Sequence, residues 1–279
     1  IFLRINSQIK FKWELALVKG NINQRNLKRS KVISSPKNKF WADPFIINHQ
    51  KDDYVFFEDY DFKKEKGSIS VGKLVNENIT QVKCIINKQY HLSYPFVYKY
   101  KKDYYLIPES HASKRLEIWK AVNFPYDWKL YKTLFEGYKM VDTSFVKYKK
   151  NYWLFTNISN DKYDDFTNEL HIFKIDSPQI NNIKPHTRNP VITGCETSRN
   201  AGNPFFSSNN RLIRPSQSYV DGIYGKSIIF NEIIKLNLNE YKEMKIKEIK
   251  PNFKDDIIGT HHISSTSKKT LIDIYKKIK

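Results

Sequence analysis

The chain has 279 residues, 40% of them hydrophobic and 15% aromatic, and 48 Lys and Arg stand against 29 Asp and Glu for a formal charge of +19. That apolar content is ample for a core and excludes wholesale disorder. No apolar run approaches the roughly 20 residues a spanning helix needs. The two cysteines, Cys84 and Cys195, are too few for a disulfide scaffold and lack zinc-ligand spacing.

The chain opens Ile1-Phe2-Leu3-Arg4-Ile5, with neither an initiator Met nor the small-residue cleavage site of a signal peptide. With no export signal visible and cysteine usage that fits a reducing compartment, the expected location is the cytoplasm or the periphery of a membrane. Residues 1–40 read as a strand and lead-in that close the domain.

From there one grammar recurs: a polar residue, Phe, a short apolar stretch, a Lys/Asn/Asp turn, then an aromatic strand. It runs Asp43-Pro44-Phe45-Ile46-Ile47 into Tyr54-Val55-Phe56-Phe57-Glu58, and again Tyr94-Pro95-Phe96-Val97-Tyr98 into Tyr104-Tyr105-Leu106-Ile107-Pro108-Glu109. The third copy is Asp142-Thr143-Ser144-Phe145-Val146 into Tyr152-Trp153-Leu154-Phe155-Thr156. A fainter fourth begins at Gly202-Asn203-Pro204-Phe205, and a fifth at Gly259-Thr260-His261-His262, ending in Thr270-Leu271-Ile272-Asp273. Copies start near residues 43, 94, 142, 203 and 261, a spacing that suits one four-stranded propeller blade each.

Between the copies, residues 67–74, 116–121 and 170–175 alternate like strands. Asn231 to Leu236 reads as a short helix and Leu238 to Tyr241 as a turn. No Gly-, Ser- or Pro-rich linker divides the chain. The pattern predicts one all-β domain over 1–279, a five-bladed β-propeller; the alternative is a β-sandwich whose hairpins look alike because Lys-Asn turns are common.

In a propeller the first strand of each blade lines the central channel. The repeat therefore predicts that Asp43, Tyr94, Asp142, Arg199 or Asn203, and His261 or His262 converge on the axis. Glu58, Glu109 and Thr156 would lie at a similar depth on the second strands. Carboxylates crowded into an aromatic-walled pocket acquire split pKa values, the condition for acid and base roles near neutral pH. His91, Arg199, Arg214, Gln217 and His261 are candidate donors to sugar hydroxyls or phosphate, and Trp41 is the candidate stacking face for a sugar ring. His261 and His262, adjacent on a strand, would point to opposite faces and make a poor metal pair. No metal site and no cofactor are expected, with an ion on the axis left open.

Several segments in this order carry a resemblance: Trp41-Ala42-Asp43-Pro44-Phe45, Tyr54 to Glu58, His91-Leu92-Ser93-Tyr94-Pro95 and Ile107-Pro108-Glu109-Ser110, then Asn123 to Trp128, Asp142-Thr143-Ser144, Arg214-Pro215-Ser216-Gln217 and Tyr224-Gly225. Over about residues 39 to 262 the chain resembles the N-terminal propeller domain of the plant glucosamine inositolphosphorylceramide transferases and its bacterial formyltransferase-linked relatives. More distantly it is similar to the arabinanase, levansucrase and invertase propellers, including glycoside hydrolase family 43. That likeness implies glycoside chemistry by axial carboxylates, with Asp43 as base or nucleophile, Asp142 as the carboxylate that positions or tunes it, and Glu109 or Glu58 as general acid.

Three functions are expected from these readings. The first is transfer or hydrolysis of glycosyl units, including furanosyl ones, in cell-surface glycan assembly, with a glycan or sugar-nucleotide as substrate. The second is a non-catalytic glycan-binding module serving a fused or partner glycan-synthesis enzyme. The third is binding of nucleic acid, an anionic surface or a phosphorylated glycan by the dispersed lysines.

Overall fold

Alternating apolar positions bounded by Lys-Asn turns fold this chain into strands at nearly every point where the pattern occurs. The computed structural model describes residues 10–20, 22–159 and 165–278. Strands β1 (Lys10–Lys19) and β2 (Lys31–Ile33) flank one short helix, α1 (Gln24–Lys28), whose cap Asn23 accepts the Asn26 N–H at 2.9 Å.

The first blade follows as β3 (Lys39–His49), β4 (Asp52–Asp61), β5 (Lys66–Val75) and β6 (Asn78–Ile86). The second is β7 (Ser93–Tyr100), β8 (Asp103–Glu109), β9 (Leu116–Asn123) and β10 (Asp127–Leu134). The third comprises β11 (Met140–Tyr148), β12 (Asn151–Ile158), β13 (Glu169–Ile175), β14 (Ile183–Pro185) and β15 (Ile192–Thr193). The fourth is β16 (Phe205–Phe206), β17 (Leu212–Val220), β18 (Ile223–Leu236) and β19 (Tyr241–Ile249). The last sheet takes β20 (Ile257–Gly259), β21 (Ile263–Ser265) and β22 (Lys269–Ile278) from the C-terminal side and adds β1 and β2 from the N-terminal side.

All pairings are antiparallel, and each sheet runs outward from its first strand. This is a five-bladed β-propeller. The closing sheet is secured by a continuous ladder between β1 and β22, from Lys10 opposite Ile278 to Lys19 opposite Lys269. The innermost strands are buried on both faces, because neighbouring blades cover them, whereas outer strands such as β6 and β19 are largely exposed. Between blades the core is aromatic: Phe45, Phe96 and Phe145, from three successive inner strands, pack edge to face at 5.7 and 5.1 Å. No helix among the described residues is long and apolar enough to cross a membrane.

The inner strands share a second feature. Their ladders are interrupted by bulges between Ala42 and Phe45, Ser93 and Phe96, and Val141 and Ser144. Inside these bulges Asp43, Tyr94 and Asp142 adopt φ of 50°, 42° and 50°, and Gly202 stands at φ 131° in the fourth blade. The polar residue that opens each of the first three sequence repeats is thus a left-handed bulge residue. Asp tolerates that conformation, Tyr does so at a cost, and the region occupied by Gly202 belongs to glycine.

The helix expected over Asn231–Leu236 is instead the second half of β18. Its isoleucines at 228, 229 and 233 are buried, and bulges at Phe230/Asn231 and Ile233/Lys235 break the strict alternation that marks a strand in sequence.

A Cβ at position 202 would lie 2.2 Å from the Ile263 carbonyl oxygen, on the neighbouring inner strand. Gly202→Ala is therefore expected to lower the free energy of unfolding by at least about 2 kcal/mol, measurable as a shifted denaturant midpoint.

Candidate active site

The bulges bring the first-strand acids to one end of the axis, and the second strands deliver theirs to the same depth. Glu58 pairs opposite Ala42 and Glu109 opposite Ser93, each beside the left-handed residue. In the third blade the corresponding partner of Val141 is Asn157, not Thr156, which instead hydrogen-bonds Thr143 at 2.7 Å. Asn157 brackets the chain, donating to the carbonyls of Glu169 and Ser198 and accepting the Asn200 N–H.

Asp43 is 5% exposed. Its Oδ2 accepts the Tyr94 N–H at 3.2 Å, and its own N–H donates to Asp273 Oδ2 at 3.2 Å. Its Oδ1 lies 3.5 Å from both His261 Nε2 and His262 Nδ1. The two histidines do not diverge as strand alternation predicts, because they occupy the break between β20 and β21. Both of their backbone N–H groups donate to Asp273 Oδ1 at 2.9 Å, and His261 Nδ1 sits 2.6 Å from Asp273 Oδ2.

Around this knot stand the other acids. Glu58 Oε1 is 3.3 Å from His91 Nε2. The Gly67 N–H donates to His91 Nδ1 at 3.0 Å, so the ring proton sits on Nε2, facing the carboxyl. A Cβ at Gly67 would fall 2.5 Å from the Leu92 carbonyl oxygen and 2.8 Å from Glu58 Oε1. Glu109 Oε1 lies 2.9 Å from His111 Nδ1, and its Oε2 is 3.8 Å from Arg199. Arg199 Nε donates to Asp142 Oδ2 at 2.6 Å, which also accepts from Gln217 Nε2 at 3.3 Å.

Electrostatics divides these groups. Burial pushes Asp43 up to about 6, with Asp273 and Glu109 adding to the effect and His261 opposing it. Glu58 is raised well above the carboxylate range by burial and by the charges of Asp43, Glu109 and Asp273. Burial raises Asp142 to about 7 against the pull of Arg199, with Glu109 and Asp43 assisting. Glu109 goes the other way: its burial is outweighed by the His111 hydrogen bond, Arg199 and the nearby histidines, which hold it at about 2. His261 is raised chiefly by Asp273 against its burial, whereas burial drops His262 to about 3 and keeps it neutral. The site therefore combines three carboxyl groups of raised proton affinity, Asp43, Glu58 and Asp142, with two of lowered affinity, Glu109 and Asp273.

The rim is aromatic and partly open. Trp13 lies over His261 at 4.0 Å, Tyr224 meets His261 at 5.4 Å, and the Arg199 guanidinium covers the Tyr224 ring at 5.1 Å. Tyr60 stands 6.0 Å from His91, and His91 and His111 remain about a third exposed along their side chains, at 31% and 29%.

Of the residues singled out in the sequence, Asp43, Glu58, Glu109, Asp142, His91, Arg199 and His261 come together here. Tyr94 supplies its backbone N–H, and Gln217 supports Asp142. Trp41 does not reach the pocket: its indole N–H donates to Asp59 and its ring packs on Phe57 in the core. Arg214 is fully buried beneath the site, paired with Glu243 at 2.6 Å and donating to the carbonyls of Thr197 and Ser198. Sequence reasoning passed over Trp13, His111 and Asp273 as site residues. Asp273 was the most readable of them, since it closes the apolar run of the fifth repeat in sequence much as Glu58 and Glu109 close theirs.

Asp43, His261 and Asp273 also offer ligand atoms that all lie within 4.8 Å of one another. Asp43 Oδ1 is buried without a hydrogen-bond donor, so this trio has the composition to hold a cation in competition with the His261–Asp273 contact.

These features define a five-bladed propeller with a buried, proton-sharing cluster of carboxylates at one end of its axis. Residues 28–263 match the family model described as glucosamine inositolphosphorylceramide transferase 1, N-terminal, and the chain belongs to that family. The glucosamine inositolphosphorylceramide transferases 1 of Oryza sativa subsp. japonica and of Arabidopsis thaliana are each 32% identical over 215 residues, which is 76% of this chain and 28% of theirs. The chain thus spans just over a quarter of the length of these relatives. The catalytic domain of a Coprinopsis cinerea GH62 α-L-arabinofuranosidase superposes with a TM-score of 0.57 at 12% identity, covering 95% of this chain and 97% of that one. A family 117 glycoside hydrolase of Zobellia galactanivorans gives 0.56 at 14% identity, covering 96% and 90%. An endo-arabinase of Bacteroides thetaiotaomicron gives 0.55 at 16%, covering 89% and 99%. At such identities these likenesses speak for the fold alone.

Replacing Arg214 by Met would leave Glu243 buried without its cation and the Thr197 carbonyl and Asn200 Oδ1 without the donor Arg214 supplies. Arg214→Met is expected to cost about 3 kcal/mol of stability, lowering the melting temperature by roughly 5–10 °C in a calorimetric scan.

Proposed function

We propose that the axial pocket binds a glycan and that its carboxyl groups transfer or hydrolyse a glycosyl unit, in the service of glycan assembly. The observation that carries this reading is the division of proton affinity among four buried acids in one pocket. Of the two glutamates offered for the acid role, the surroundings favour Glu58, whose proton affinity burial and the neighbouring acids raise and whose carboxyl faces the neutral His91. Glu109, held at about 2 by His111 and Arg199, suits a permanent anion that stabilises developing positive charge on the sugar.

In this scheme Glu58 gives its proton to the glycosidic oxygen as the bond to the anomeric carbon breaks. Asp43, ionised above about 6, attacks that carbon or takes the proton of an incoming hydroxyl or water. Asp142 and Arg199 fix the sugar from the opposite side of the axis, and Trp13 and Tyr224 offer faces to its ring. Furanosides and sugar-nucleotides belong among the substrates to be tried, since part of the pocket rim is cationic through Arg199.

One observation favours a second reading, a glycan-binding module that assists a glycosyltransferase on the same or a partner chain. Protein donors already occupy Oδ2 of both Asp43 and Asp142, and the relatives extend far beyond the matched segment.

A glycan array followed by product analysis separates the two. Under the enzymatic reading, Asp43→Asn lowers turnover by about 10² to 10⁴-fold while glycan affinity changes little. Wild type that binds glycans and makes no product would replace that reading with the second. The pH dependence is set by the same groups. Activity should rise through about pH 6 as Asp43 ionises and fall at higher pH as Glu58 loses its proton. Glu58→Gln should abolish the falling limb in a pH-rate profile.

A further inference from the structure

The other end of the axis carries a separate feature. Because the inner strands run side by side in one direction, the turns that follow them all emerge at the end opposite the carboxylates. A cavity of about 380 Å³ opens there, lined by residues of four inner strands, among them Phe45, Phe96, Phe145 and Ser264, and by Asn203 and Pro204, which lead into β16. The three phenylalanines, packed against one another, lie between this cavity and the acidic pocket.

Lys99 and Lys147 line the cavity, and Lys101, Lys149 and Lys268 stand on the adjacent turn tips. All five are exposed. Four of them lie over tyrosine rings rather than carboxylates: Lys99 over Tyr104, Lys101 over Tyr100, Lys147 over Tyr152 and Lys149 over Tyr148, at 5.2 to 5.7 Å. The acids of these same turns are already engaged, Asp52 with Lys73, Asp53 with Lys269 and Asp103 with Lys120. The positive charge at this end is therefore not neutralised locally. Beside it Phe205 and Phe206, consecutive on the inner strand of the fourth blade, are 38% and 42% exposed, and Phe206 stacks on Tyr148.

We propose that this end of the propeller docks on an anionic lipid bilayer, with the lysines on lipid phosphates and carboxylates and Phe205 and Phe206 seated among the headgroups. Turn tips set around an axis form a broad array rather than a groove, which suits a planar surface better than a linear polyanion. Lysine at the rim with aromatic side chains at the contact is the combination that anionic membrane interfaces favour. Docking in this way directs the acidic pocket, at the far end of the axis, toward solution.

The test is co-sedimentation of the intact chain with phosphatidylcholine vesicles, alone and with added phosphatidylserine, at low and high salt. Binding is expected only with phosphatidylserine, weakening with salt. Lys99→Glu combined with Lys147→Glu and Lys149→Glu should reduce it by at least tenfold, as about fivefold per charge at an anionic surface implies. Phe205→Ser with Phe206→Ser should also weaken it severalfold, whereas Lys63→Glu with Lys64→Glu, on turns at the other end, should leave it nearly unchanged. All variants lie at exposed positions, and unchanged melting curves confirm their folding. Equal loss in the Lys63/Lys64 control would overturn the proposal by showing that total charge alone binds. Binding to heparin as tight as to vesicles, with no effect of the Phe pair, would overturn it in favour of a soluble polyanion.

Discussion

Several buried carboxyl groups share one small volume, and they cannot all be ionised there. Coulomb repulsion between like charges in a medium less polarisable than water is severe at these separations. The protein resolves it by unequal support. Arg199 and His111 hold Glu109 as an anion, Asp273 draws the proton of its pair onto His261, and Glu58 receives little besides the His91 N–H. Burial and the leftover repulsion raise the proton affinity of Glu58, Asp142 and Asp43. Differences in proton affinity among the acids are therefore a consequence first of burial and then of crowding, and only at Glu109 do the nearby cations outweigh both.

The crowding is itself a product of backbone geometry. A regular strand would alternate its side chains between the two flanks of the blade, and nothing would be aimed along the inner edge. The bulge inserts an extra residue in the left-handed region. It turns Asp43, Tyr94 and Asp142 out of the alternation at one depth. The exposed backbone amides are used as well, since the Tyr94 N–H is a ligand of Asp43 and the Asp43 N–H a ligand of Asp273. Neighbouring blades are thus linked through the same atoms that build the pocket.

Much of this was legible before any coordinates. The Phe, turn and aromatic grammar located the inner two strands of each blade, because that hairpin is the segment buried on both sides and so the most constrained in composition. The polar residue at its head marked the axis for the same reason: a buried position that refuses an apolar side chain has a polar partner. Illegible were the features set by contacts between blades. Trp41, two residues before Asp43, would share its face on a regular strand, yet the bulge turns Asp43 out of the alternation and leaves Trp41 packed toward Phe57 and Asp59. Trp13 reaches His261 only because β1 joins the C-terminal sheet. Arg214 sits one strand out from the axis, where a cation in a polar run looks the same in sequence as one facing a ligand. The misread helix at 231–236 had a local cause, two bulges that disturbed the period of two.

The fourth blade shows how the repeat accommodates this chemistry. Its inner strand carries no acid; Gly202 occupies the left-handed position and lets the chain pass close to Ile263. The cation of the site comes from Arg199 in the preceding segment, held at its base by the Asn157 and Arg214 contacts to residues 197–200. A fifth acid at that position would have added to the repulsion. Arg199 instead brings a guanidinium that reaches both Asp142 and Glu109. A cation from outside the repeated positions thus offsets part of the repulsion among the acids of the other blades.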